Sequence, residues 1–263
     1  MEKSELLDRV GAEGDDRLTL SRILDRYRKA RNGVPSTSDF LSPREQALTL
    51  QLLRLARVPE ESYVFYGGVA DAERQIVLFL PDWMSEYPPE ETPIRALRAE
   101  WRSGDALSHR DLLGSLMGLG IVREKIGDIY VTEAAADVLI LDSVREFLLQ
   151  NWESAGRAKV SVREIAPDEI RVPARKVQEI RDTVSSVRLD SVIASGFRMS
   201  RGKASELVNA GRVQVNWTDC QKPDRVLQVG DTIAARGFGR LSVAEIGGLT
   251  RKGRIAVTLH RYV

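Results

Sequence analysis

The sequence is poor in the residues that most metal and redox chemistry requires. Its 263 residues include one cysteine, Cys220, and two histidines, His109 and His260. A single thiol excludes an internal disulfide framework and any zinc site built on several thiolates, and no HExxH pair is present. No apolar run approaches the roughly 18–20 residues needed to cross a bilayer. The opening stretch MEKSELLDRVGAEGDDRL is charged throughout, so export is not expected either. There is no G-x-x-x-x-G-K-[ST] loop, and Gly237-x-Gly239 lacks the third glycine of a dinucleotide site. These absences point to a cytoplasmic protein without metal, cofactor or membrane partner.

Apolar residues make up 43% and charged residues 29%, ordinary values for a globular protein, and the length suggests two or three domains. The net charge of +1 hides an asymmetry. Residues 181–263 carry 14 basic and 7 acidic side chains, whereas 1–180 carry 25 basic and 31 acidic. Such a split suits a polyanion-binding module joined to a body that repels polyanions. Solvated surface charge would give the same count.

Local pattern gives a coarse sequence of elements. Leu6, Leu7, Val10, Leu18, Leu20, Ile23, Leu24 and Tyr27 recur at helical spacing and predict a helical first segment, ended by the turn chemistry of Asn32-Gly33-Val34-Pro35. Ser42-Pro43-Arg44-Glu45 opens a second helix to about Arg57, and strands are expected at 63–66 and 75–80. Residues 82–92 read as a loop, 94–101 as a strand with helix as the alternative, and Ser103-Gly104-Asp105 as a turn. Ser108 caps a helix through Leu119, followed by strands at 128–132 and 136–141, a helix at 143–151 and a strand at 159–165. Residues 177–187 read as helix or linker. Two short helices follow, one with Leu189, Val192, Ile193 and Phe197 on one face and the other capped by Ser200, then several alternating strands. The expected fold class is α+β, with mixed N-terminal (1–80) and middle (81–180, RRM-like) units before a compact module at 181–263.

The most specific signal runs from Arg188-Leu-Asp190 through Ser200-Arg201-Gly-Lys203-Ala to Gly211-Arg-Val-Gln-Val-Asn216, with Gly230-Asp231 beyond. Its order and spacing resemble the S4-type RNA-binding domain. The block Ser108-His109-Arg110-Asp111-Leu-Leu-Gly114, continuing to Gly120-Ile-Val-Arg123 and Gly127-Asp128-Ile, together with Arg236-Gly-Phe-Gly-Arg240, resembles the YlmH family of bacterial S4-domain proteins. Ser108 departs from the glycine usual before that histidine. The resemblance covers about 65–263 and implies a non-enzymatic binder of rRNA or tRNA. It also implies a role in ribosome-associated quality control, on large subunits obstructed by peptidyl-tRNA.

The residues support such a role on their own terms. Arg201 and Lys203 fall in the first turn of a helix opened by Ser200, where backbone N–H groups and the helix dipole favour a phosphate. Arg188, Arg198 and Arg212 can flank that surface, and Arg236 and Arg240 lie among glycines that allow close approach. Contacts of this kind position RNA through its backbone and carry little sequence information. Phe238 either stacks on a base or packs into a hairpin. His109 and Arg110 are secondary candidates that could equally serve the packing of their helix. Arg188-Leu-Asp190 also resembles the catalytic motif of pseudouridine synthases, but the 73 residues beyond Asp190 already hold the small module, so Asp190 reads as a helix-start residue. No catalytic or metal-ligating residue is assigned, no DNA partner is expected, and the chain is read as a monomer. The competing readings are an RNA-modifying enzyme with a site in 1–180 and a photosystem-associated S4-domain factor.

Overall fold

The computed structural model describes residues 2–88, 91–102, 104–174 and 177–262. Ser103 of the expected turn, and Pro89 and Glu90 of the expected loop, lie outside them. Two units are present, Met1–Pro173 and Ala174–Val263.

The first unit opens with α1 (Lys3–Val10) and α2 (Gly14–Arg31), so the single helical segment read from the sequence is two helices. Gly11, at φ 70°, takes the left-handed cap that ends α1. After β1 (Ser36–Thr37), α3 (Pro43–Leu55) starts as expected: Ser42 Oγ accepts from the Glu45 N–H, and Glu45 accepts from the Ser42 N–H in return. Strands β2 (Tyr63–Tyr66) and β3 (Ile76–Phe79) complete a three-stranded antiparallel sheet in the order β1-β3-β2.

A four-stranded antiparallel sheet follows, in the order β5-β6-β4-β9, built from β4 (Ile94–Glu100), β5 (Ile126–Val131), β6 (Ala135–Leu141) and β9 (Ser161–Ile165). Between these strands lie α4 (His109–Gly118), α5 (Arg145–Asn151) and the small hairpin of β7 (Ser154–Ala155) and β8 (Ala158–Lys159). Leu112 and Leu116 of α4 and Leu148 of α5 pack with Leu97, Val138 and Ile140 on one side of the sheet. Ala96, Leu139 and Leu141 pack with Ile76 and Leu78 of β3 on the other. Covering both faces is why every residue of β6 is buried and its sequence AADVLIL shows no polar alternation.

In the second unit, residues 177–184 are strand β10 (Val177–Val184), where the sequence suggested helix or linker. The reason is non-local. This strand is polar and mostly exposed, and it exists by pairing along its full length with the last strand of the chain. Helices α6 (Leu189–Gly196) and α7 (Arg201–Asn209) follow, then β11 (Val213–Val215), β12 (Thr218–Asp219), β13 (Thr232–Ala235), β14 (Gly239–Leu249) and β15 (Ile255–Tyr262). All six strands form one antiparallel sheet in the order β10-β15-β14-β13-β11-β12. Leu189, Val192, Ile193, Ala204, Leu207 and Val208 of the helices pack on Val213, Ile233, Leu241 and Leu259 of one sheet face. Gly196 makes that seating possible, since a Cβ there would lie 2.3 Å from Leu241 Cδ1.

Candidate nucleic-acid interface

Five of the eight expected residues, Arg188, Arg198, Ser200, Arg201 and Lys203, lie at the starts of the two helices or in the connection between them. Arg188 is the N-cap residue of α6, and Asp190 stands in its first turn with a side chain only 4% exposed. Its carboxylate accepts from Arg201 Nε at 2.9 Å and from Arg188 Nη2 at 3.2 Å. Burial alone would favour the neutral acid, but the hydrogen bonds from Arg201 and then Arg188 prevail and hold the Asp190 pKa below its ordinary value. The Arg201 and Arg188 side chains remain 49% and 37% exposed. A helix-start aspartate thus fixes two solvent-facing cations side by side.

Ser200 caps α7 by accepting from the Lys203 N–H at 3.3 Å, which commits its hydroxyl to the helix. The first turn of α7 carries no acid to complement the helix dipole. Lys203 is exposed, and its Nζ sits 5.7 Å from the centre of the Phe238 ring. Phe238 packs against Phe197 at 5.9 Å, so of its two readings the structure supports packing. Arg198 is exposed in the connection between the helices, at φ 53°.

The other arginines lie elsewhere in the unit. Arg212 Nη2 donates to the Arg236 carbonyl at 3.1 Å, and the Arg236 N–H donates back to the Arg212 carbonyl at 2.9 Å, tying the end of α7 to the β13–β14 turn. Both side chains border an open cavity of about 360 Å³ with Gln214 and Asp219. Arg240 pairs across the sheet with Ala234 and Tyr262, a row that alternates with the buried Ile233, Ala235 and Leu241. Its side chain therefore belongs to the sheet face opposite the helices. There it lies 4.4 Å from the Tyr262 ring centre and 5.5 Å from that of Trp217. The eight residues are thus divided between two faces of the module. Trp217 and Tyr262 escaped the sequence reading; the signal available was a tryptophan directly after Val-x-Val-Asn216, in a turn position.

The motif residues of the middle block have mostly structural uses. Ser108 and Asp111 form a reciprocal cap on α4, and the hydrogen bonds from Ser108 keep the Asp111 pKa low. Arg123 donates to the Ile126 and Gly127 carbonyls, and burial, then the charge of Arg74, pulls its pKa down to about 10. Asp128 accepts from the Glu73 and Arg74 N–H groups, so the segment ties β5 to the loop before β3. Desolvation, then the charge of Arg123, lowers the His109 pKa, which favours a neutral imidazole. Arg110 is exposed beside it.

Comparison with known proteins agrees with the two motif regions. Residues 105–169 match the family model described as "Putative RNA-binding domain in YlmH", and residues 187–233 match the S4 domain. The chain is 37% identical over 227 residues to "Ribosome-associated protein quality control protein P2" of Bacillus subtilis (strain 168), covering 85% of this chain and 86% of that one. Its fold is similar to "Cell division protein ylmH from Streptococcus pneumoniae", with a TM-score of 0.51 and 22% identity, over 61% of this chain and 97% of that chain.

Proposed function

The chain belongs to the YlmH family of S4-domain proteins, and from that premise we propose that it is a non-enzymatic binder of structured rRNA or tRNA. Its setting is the cytoplasmic ribosome, where it acts in quality control on large subunits obstructed by peptidyl-tRNA. What supports this reading is a relative named for that pathway that matches along most of both chains. The arginine pair around Asp190 supplies the means.

In this reading the second unit, Ala174–Val263, is the main RNA-binding module, and the first, Met1–Pro173, carries it to its place. Arg188, Arg201 and Lys203 hold phosphates on the helical side. Ser200 shapes the turn, and Arg198, Arg212, Arg236 and Arg240 extend the binding surface. His109 and Arg110 form a secondary site, with Arg110 supplying the charge. Because phosphates are gripped by fixed cations, binding follows RNA shape rather than sequence. Holding tRNA in position requires no bond chemistry from this chain.

The test is sedimentation of tagged protein through a sucrose gradient, wild type beside the double variant Arg201→Ala/Lys203→Ala, with the RNA of each fraction identified. Wild type is expected in large-subunit fractions together with tRNA, and the variant at the top. Both proteins at the top without RNA would overturn the reading in favour of an enzyme or a protein adaptor.

A further inference from the structure

We propose that Trp217, braced by Arg240 and Tyr262, is a stacking platform for one unpaired nucleobase, on the sheet face opposite the helices. The inference rests on the RNA-binding reading and adds a second kind of contact to it. Asn216 and Trp217 are the two central residues of the turn that joins β11 to β12, where Val215 pairs with Thr218. Both have left-handed backbones, at φ 50° and 65°. Two-residue hairpin turns of this hand favour Asn followed by Gly. Asn216 fits its slot: Nδ2 donates to Asp231 at 2.7 Å, and Oδ1 accepts the Thr232 N–H at 2.9 Å. Trp217 occupies the slot that glycine would fill, in a conformation strained for a bulky side chain.

The core does not explain this choice. Trp217 is only half-buried and is absent from the cluster that joins helices and sheet. Its ring lies instead against the Arg240 guanidinium, which also lies against Tyr262. Strain retained at one residue calls for a return elsewhere, and an aromatic plane beside a cation on a basic module fits a nucleobase with its phosphate. A stacked base must leave its own helix, so the platform selects a bulged or looped nucleotide. The helical side, by contrast, is suited to paired backbone. Together the two faces would recognise a helix next to an unpaired residue.

The experiment measures binding of full-length protein to an RNA hairpin with a one-nucleotide bulge and to the same hairpin fully paired. Wild type is expected to prefer the bulged RNA about tenfold. Trp217→Gly and Trp217→Asn, which both suit the turn, should bind the two RNAs equally, while Trp217→Phe keeps most of the preference. The thermal midpoint of Trp217→Gly should equal or exceed that of wild type. An intact preference in the Gly and Asn variants would overturn the proposal, and a midpoint lowered by several degrees would assign Trp217 to packing. Wild type that binds both RNAs equally would overturn the platform but leave the RNA-binding reading standing. Wild type that binds neither would remove both.

Discussion

The two units use an arginine–aspartate pair to opposite ends. In the first, Arg98 and Asp137 face each other across β4 and β6, joined at 2.6 and 2.8 Å, with both side chains 3% exposed. Arg98 also donates to the Glu169 carbonyl and Asp137 accepts the Arg171 N–H, so the pair is closed by its own surroundings. The hydrogen bond to Asp137 keeps the Arg98 guanidinium firmly charged. In the second unit Asp190 is as buried as Asp137, yet its two arginines reach into solvent. The burial of an acid therefore says little about its role. The exposure of the cation decides whether the pair is a brace or a mount.

The comparison breaks most readily at Asp137. Replacing it with alanine strands a buried guanidinium and is expected to lower stability by about 3–5 kcal/mol, measured by urea unfolding. A loss below about 1 kcal/mol would mean that Arg98 finds water and that the pair is no more closed than the other. Asp190→Asn should be milder, about 1–2 kcal/mol at neutral pH, because Arg188 and Arg201 can turn to solvent. Its pH dependence carries the sign. The folded pKa of Asp190 lies below the unfolded value of about 3.9, so its contribution is complete above that value and is lost as pH falls through the folded pKa. The stability difference between wild type and Asp190→Asn should stay constant down to about pH 4 and shrink in more acid solution. A difference unchanged to about pH 2 would show that Asp190 does not draw its stabilisation from ionised pairing.

The same contrast explains what could be read from the sequence. Helix starts were legible because their chemistry is local: Ser42 with Glu45, Ser108 with Asp111, and Ser200 all cap the helices they were expected to cap. The inward faces of α6 and α7 were legible from spacing alone. Strand β10 was not, since its partner is β15, at the far end of the unit, and its own exposed, charged sequence carries no apolar alternation. The arginines were visible as a set but not as two faces, because only the register of β13, β14 and β15 turns Arg240 away from the helices. Trp217 is not legible in the sequence, because a turn residue shows its strain only in its backbone angle.

The smallest effect gives the finest test of the mount. Arg201 uses Nε for Asp190, and its terminal nitrogens make no hydrogen bond among the described residues. A planar fork can bind carboxylate and phosphate at once, whereas a lysine ammonium must divide one point charge between them. Arg201→Lys should therefore weaken RNA binding a few-fold while leaving the salt dependence of log K unchanged, because the charge count is the same. Arg201→Ala should instead reduce the steepness of that dependence by about 0.7–0.9, the share of a single phosphate that is no longer neutralised. If about five phosphates are neutralised, the wild-type slope lies near −3.5 to −4.5, so the change is measurable by titration at several salt concentrations. Wild-type affinity in Arg201→Lys would show that charge alone matters at this position. Asp190 would then be a helix-start residue that happens to have two arginines beside it.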